Sequence, residues 1–274
     1  MDRMPAFFRS NHEKWRELNP DWEVKLWSDS DMLALVRQSY PQWLPLFSGW
    51  RSLKPVQMAD LFRVMLLETF GGVYVDMDVE PLKPMDELLT LLKSEEENPT
   101  CVLGQEPFEH AVLLENRLHF ICNAFMASER GHKLWGHVLQ YVWTKITTKK
   151  AEWGDPVAFA GPRALTTVVE MKPGVTDDCV IVKPQVFYPT MDSSADLYGK
   201  CLHIVRTKYW RRERLSLLHL EACRSVLKQR SHDDKGHKYP KESFAVHHWA
   251  HTWIWRPFQS RPIIDASEHA GPRP

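Results

Sequence analysis

The residues best placed to do chemistry are Asp76 and Asp78, two carboxylates separated by Met77 at the end of the apolar run Val73-Tyr74-Val75. In an extended chain, residues two apart project from the same face, and Tyr74 precedes them on it. Carboxylates that converge at a strand end repel each other, so either a cation offsets them or one takes up a proton. A hard divalent ion held by one or two carboxylates and completed by substrate phosphates is a common solution. Upstream, Asp60 and Arg63 lie one helical turn apart on an otherwise apolar helix, and Gly71-Gly72 returns that helix beside the strand. The guanidinium fork of Arg63 suits a diphosphate. The plainer alternative is a buried Asp60–Arg63 ion pair.

Several elements must position these groups. Pro55 opens a helix over 55–69, and Gly71-Gly72 closes it as a left-handed cap. Residues 22–27 alternate apolar and charged as a strand does, and Asp29 or Ser30 caps a short helix through Val36. Residues 73–80 read as one β-rich run stopped by Pro81. A helix near 85–93, a strand over 101–103, a helix near 132–145 and strands at 179–182 and 202–205 follow. This alternation predicts an α/β fold with a single, mostly parallel sheet flanked by helices. Residues 208–242 read as a solvated helix plus a loop. One domain over 1–256 and an irregular Pro-rich tail over 257–274 complete the expectation.

Composition narrows the function classes. The chain has 274 residues, 43% hydrophobic, with 35 Lys+Arg against 35 Asp+Glu. It is long enough for a substantial core, and its zero formal charge disfavours a nucleic-acid partner. No apolar stretch reaches the roughly 18 to 20 residues of a membrane span, and Met1 to Pro20 is not a signal peptide. The five cysteines include no CxxC element, so buried thiols are expected rather than a disulfide scaffold. Twelve tryptophans are many for this length; most are expected in the core, and a few as platforms for planar or sugar rings.

The order Asp60-x-x-Arg63, Gly71-Gly72, apolar strand, Asp76-Met77-Asp78 resembles the signature of the DXD sugar-binding glycosyltransferases of family 32, relatives of the clostridial glucosylating toxins. Further stretches agree: Asn19-Pro20-Asp21-Trp22-Glu23, Asn123-Ala124-Phe125-Met126-Ala127, Ala160-Gly161-Pro162 and Ala245-Val246-His247-His248-Trp249. The resemblance runs over roughly 5–255. It implies a GT-A fold and a metal-dependent glycosyltransferase: retaining transfer of a hexose from a nucleotide-diphosphate sugar, with a divalent metal, usually manganese and otherwise magnesium. In that reading Asp78 ligates the metal, and Asp76 acts through the ribose and a metal-bound water. Asp60 and Arg63 hold the donor sugar and its phosphate, with Tyr74 packed beside them. Asn123 matches a polar residue near the anomeric carbon. His247, ahead of His248, fits a late metal-ligand position, against the alternative of a structural histidine, and Trp253 covers the diphosphate. Attack on the same face as the departing phosphate is the usual proposal for such enzymes.

The donor stays open between GDP-mannose and the UDP-hexoses, and the acceptor between glycan, lipid and protein. Family members begin with a strand that helps to hold the nucleotide base, and this chain starts just beyond its place. The expectation is therefore either a start further upstream or a reduced nucleotide site. Golgi-lumenal location requires an anchor upstream, and without one the chain reads as cytoplasmic. Two other classes compete: a catalytically inactive relative that binds nucleotide sugar or glycan, and a metal-dependent phosphohydrolase, which needs more ligands than the sequence clusters here.

Overall fold

The structure, a computed structural model, describes residues 4–48, 53–95, 99–192, 195–207, 216–233 and 239–251. Trp253 and the 257–274 tail lie outside them. In chain order the elements are α1 (Ala6–Leu18), α2 (Asp29–Ser39), α3 (Leu44–Phe47), α4 (Pro55–Phe70), β1 (Gly72–Val75), β2 (Val79–Pro81), α5 (Met85–Glu95), β3 (Cys101–Gln105), α6 (Phe108–Glu115), β4 (Ile121–Ser128) and α7 (Lys133–Thr147). They continue with α8 (Pro156–Phe159), α9 (Pro162–Met171), β5 (Cys179–Val182), α10 (Pro184–Phe187), α11 (Leu197–Thr207), α12 (Leu217–Asp233) and β6 (Ala245–His247).

The main sheet has the order β1-β4-β3-β5, and a separate two-stranded ribbon joins β2 to β6. Helices cover both faces. Leu61, Met65, Trp135 and Leu165 of α4, α7 and α9 pack on one side, with Met126 of β4. On the other, Trp15, Leu88 and Phe187 of α1, α5 and α10 pack with Phe125. Phe125 and Phe187 stack with centroids 3.9 Å apart. The α/β class expected from the sequence is therefore what the structure has, but the sheet is mixed. Of its three pairings only β3–β5 is parallel, because β4 runs antiparallel to both β1 and β3. After β3 the chain makes one short helix, α6, whose C-cap Asn116 takes the left-handed conformation (φ 52°), and then re-enters as the central strand in the opposite direction.

Other expectations shift for identifiable reasons. Helix α2 is capped by Ser28, one residue earlier than expected. Its side chain accepts from the Asp31 amide while the Asp31 carboxylate accepts from the Ser28 amide. Residues 23–28 form no regular element and join no ladder among the described residues. The 73–80 run is two strands, because the chain turns where the Val79 amide donates to the Asp76 carbonyl (3.0 Å). Residues 202–205 are helical, within α11. Leu197 and Cys201, four apart, face α12, and Cys201 is disulfide-bonded to Cys223.

A second disulfide joins Cys101 to Cys179, register partners on β3 and β5. The expectation of buried thiols thus holds for Cys122 alone. Pairs distant in sequence are brought to Cα separations of 4.5 and 4.9 Å by strand register and by helix packing, which cysteine spacing does not reveal. Helix α4 follows expectation: Pro55 sits at its first turn, and Gly71 closes it at φ 67°. A Cβ at Gly71 would lie 2.5 Å from the Arg130 backbone nitrogen, so only glycine fits that return.

Candidate active site

The carboxyl end of β1 opens on a cavity of about 850 Å³ lined by Asp60, Arg63, Tyr74, Asp76, Asp78 and Asn123, among others. Arg63, only 5% exposed on the buried face of α4, organises one side of it. One of its terminal nitrogens contacts Asp76 (3.1 Å) and donates to the Asn123 carbonyl (2.7 Å), while the other contacts Asp60 (3.1 Å). Asn123 returns its side-chain amide to Asp60 (2.8 Å), and the Tyr74 hydroxyl donates to Asp76 (2.7 Å). Asp60, Arg63, Tyr74, Asp76 and Asn123 therefore form one bonded cluster. The Asp60–Arg63 ion pair is real, and it is also part of the cavity wall.

The turn at 77–78 makes Asp76 and Asp78 converge by a route other than a shared strand face. It is held from outside by α1: Asn11 donates to the Met77 carbonyl (3.1 Å) and the Trp15 indole to the Val79 carbonyl (2.9 Å). Strand β6 supplies the third group. Its register sets His247 opposite Val79, with the His247 Nε2 atom 3.3 Å from Asp78. The Asp78 carboxylate also accepts from the Ala250 amide (2.9 Å). His248 points elsewhere, to Glu80 at 2.9 Å. Ligand atoms of Asp76, Asp78 and His247 all lie within 4.8 Å of one another.

The electrostatics split the two aspartates. Burial raises the Asp76 pKa, which Arg63 offsets and the Asp78 charge reinforces. Burial acts on Asp78 in the same sense, but the hydrogen bond and charge of His247 and the Ala250 amide overcome it and hold that carboxyl at about 2. Asp60 is pushed up to about 6 by burial, against the pull of Arg63 and Asn123. Asp60 and Asp76 thus share one guanidinium, while Asp78 relies on His247 and the Ala250 amide. Among the described residues, the His247 Nδ1 atom is buried without a hydrogen-bond partner. Two carboxylate groups and an imidazole in this arrangement fit a hard or borderline divalent cation.

Sequence reasoning missed a second polar cluster on the same cavity: Glu106, His110, Asp192, Trp249 and His251. Glu106 follows β3 as Asp76 follows β1. Its readable signals were a carboxylate directly after an apolar strand and a histidine four residues further on.

Residues 5–95 match the family described as the glycosyltransferase sugar-binding region containing the DXD motif. The chain is 26% identical over 184 residues to the initiation-specific alpha-1,6-mannosyltransferase of Candida albicans, covering 60% of this chain and 48% of that protein. It is 30% identical over 86 residues to a mannosyl phosphorylinositol ceramide synthase of Saccharomyces cerevisiae, covering 31% and 22%. It therefore spans half or less of the length of these curated relatives. The PaToxG glycosyltransferase superposes on 80% of this chain at 12% identity with a TM-score of 0.43, too low to bear on the fold. The Asp76-Met77-Asp78 turn lies inside the matched stretch, residues 5–95.

Proposed function

We propose that the protein is a retaining glycosyltransferase that moves a hexose from a nucleotide-diphosphate sugar to a glycan, lipid or protein acceptor. The observation that carries this reading is the convergence of Asp76, Asp78 and His247 on a cavity that also holds the Arg63 cluster. Asp78 and His247 are the proposed direct ligands of a divalent metal, manganese before magnesium, with Asp76 completing the site. When bound, such an ion supplies Lewis-acid neutralisation of the charge that develops on the departing diphosphate. The rest falls to the chain. Arg63 fixes Asp60, Asp76 and the Asn123 backbone in one geometry, so donor-sugar hydroxyls meet acceptors that need no reorganisation. The buried wall excludes bulk water, which strengthens each of those contacts.

The names of the two relatives above favour a mannosyl donor, GDP-mannose first, and a glycan or a lipid as acceptor. The two disulfides favour an oxidising compartment, and hence a lumenal location over the cytoplasm. Among the described residues no helix is long and apolar enough to cross a membrane.

The test is turnover of GDP-mannose and the UDP-hexoses with manganese, magnesium or EDTA, each with and without acceptor. Metal-dependent release of nucleoside diphosphate from one donor is expected, with sugar transferred when acceptor is present. Donor binding without turnover would favour the inactive relative instead, and release of nucleoside monophosphate with sugar 1-phosphate the phosphohydrolase.

A further inference from the structure

We propose that Glu106 contacts substrate directly: its carboxylate takes a hydrogen bond from a hydroxyl of an acceptor sugar, and His110 is the residue that positions it. This rests on the transferase reading above and extends it to the acceptor side of the cavity.

The placement follows from the sheet. Strands β1 and β3 both run antiparallel to β4, so they run parallel to each other and end at the same edge. Asp76 is the first residue after β1 and Glu106 the first after β3. Their backbone amides donate to opposite flanks of β4, at Ala124 and Phe120 (2.8 Å each), with Asn123 between. A register shift between Leu103 and Gly104 re-aims the end of β3. Gly104 lets the Tyr188 ring pack against it there, since a Cβ would meet that ring at 2.7 Å. Glu106 therefore faces the proposed donor cluster across the central strand.

Its bonding is that of a binding group. Glu106 is 8% exposed and lines the cavity. One carboxylate oxygen accepts from His110 Nδ1 (3.1 Å). The other accepts no hydrogen bond among the described residues, and no Lys or Arg pairs with the side chain there. That oxygen is not one of the fully buried, unpartnered side-chain atoms, so it stands open to the cavity. The tautomer of His110 is fixed by its surroundings. Its Nε2 accepts the Asp192 amide (2.9 Å), so the proton sits on Nδ1 and points at Glu106. Asp192 is braced in turn by His251 Nε2 at 2.8 Å, and the Trp249 ring lies against His110 with centroids 4.8 Å apart. A held carboxylate with one open oxygen, in a cavity beside a sugar-transfer centre, is complementary to a sugar hydroxyl.

The experiment measures KM for donor and for acceptor separately, using a panel of methyl glycosides (α-mannoside, α- and β-galactoside, β-glucoside) as acceptors. Glu106→Gln is expected to raise the acceptor KM about tenfold or more, a loss of about 1.4 kcal/mol of binding. The donor KM should stay within about twofold. His110→Leu should reproduce the acceptor defect, and His110→Asn, whose amide takes the place of Nδ1, should rescue most of it. An unchanged acceptor KM, or equal rises for donor and acceptor, would overturn the assignment. So would a wild-type protein that hydrolyses donor yet transfers to none of the panel. A wild type that neither hydrolyses nor transfers would instead bring down the transferase reading, and this inference with it.

Discussion

Asp76 and Glu106 stand at equivalent places in the sheet, each one residue past a strand, on either flank of β4. Their surroundings differ sharply. The two Asp76 oxygens are taken by Arg63 and Tyr74, while Glu106 has one tethered oxygen and one open. The first is the pattern of a preorganised wall, in which a bound group finds every partner already oriented. The second is the pattern of a site that completes its hydrogen bonding only when a ligand arrives. One cavity can so present a rigid half to a charged donor and a receptive half to an acceptor.

The comparison can be broken in a graded series. The largest effect is expected from Asp78→Asn, which should lower transfer by about a thousandfold or more, since it removes a charge from the proposed metal site. The fold should survive, because an amide oxygen still accepts the Ala250 N–H; matched thermal melts check this. Transfer at wild-type rate would remove Asp78 from the metal site. Arg63→Lys should cost less in rate, on the order of a hundredfold, because a point charge cannot serve Asp60, Asp76 and the Asn123 carbonyl together. It should also cost about 3 kcal/mol of stability from partly unpaired buried carboxylates, read by denaturant unfolding. Near-normal values for both would show that the wall tolerates a looser cation.

Away from the site, replacing Cys201 and Cys223 together by serine should lower stability by about 2 to 4 kcal/mol with turnover unchanged, since the bridge ties α11 to α12. The smallest effect is one of pH. The His248 hydrogen bond, with Lys14, holds Glu80 at about 2, below its ordinary value of 4.5. A depressed carboxyl contributes stability that is present above pH 4.5 and is lost as pH falls towards 2. Glu80→Gln should therefore flatten the acid limb of a stability–pH curve over that window, by about 1 kcal/mol or less for a partly exposed pair. A steeper acid limb in the variant would reverse the sign of this contribution.

What the sequence made legible was what it keeps local. Asp60 and Arg63 are one turn apart, and Asp76 and Asp78 share one tight turn, so short-range spacing exposed both pairs. The choice between His247 and His248 needed the β2–β6 register, which turns one towards Asp78 and the other towards Glu80. Glu106 and His110 are four apart in sequence, but Asp192 and His251 reach them only through the fold, and no spacing rule links the two pairs. Residues 202–205 have β-type composition, yet tertiary packing against α12 made them helical. The parallel sheet was expected from alternation alone, and strand alternation does not carry the direction of β4. Trp253, expected over the diphosphate, lies outside the described residues.

The central claim is that Asp76, Asp78 and His247 form a divalent-metal site serving a nucleotide sugar. Its most direct test is manganese titration in the presence of GDP, following free ion by its electron paramagnetic resonance signal. The account predicts stoichiometric uptake by the wild type and by His248→Ala, with loss of uptake in Asp78→Asn and His247→Ala. Uptake unchanged in Asp78→Asn, or absent in the wild type, would contradict it.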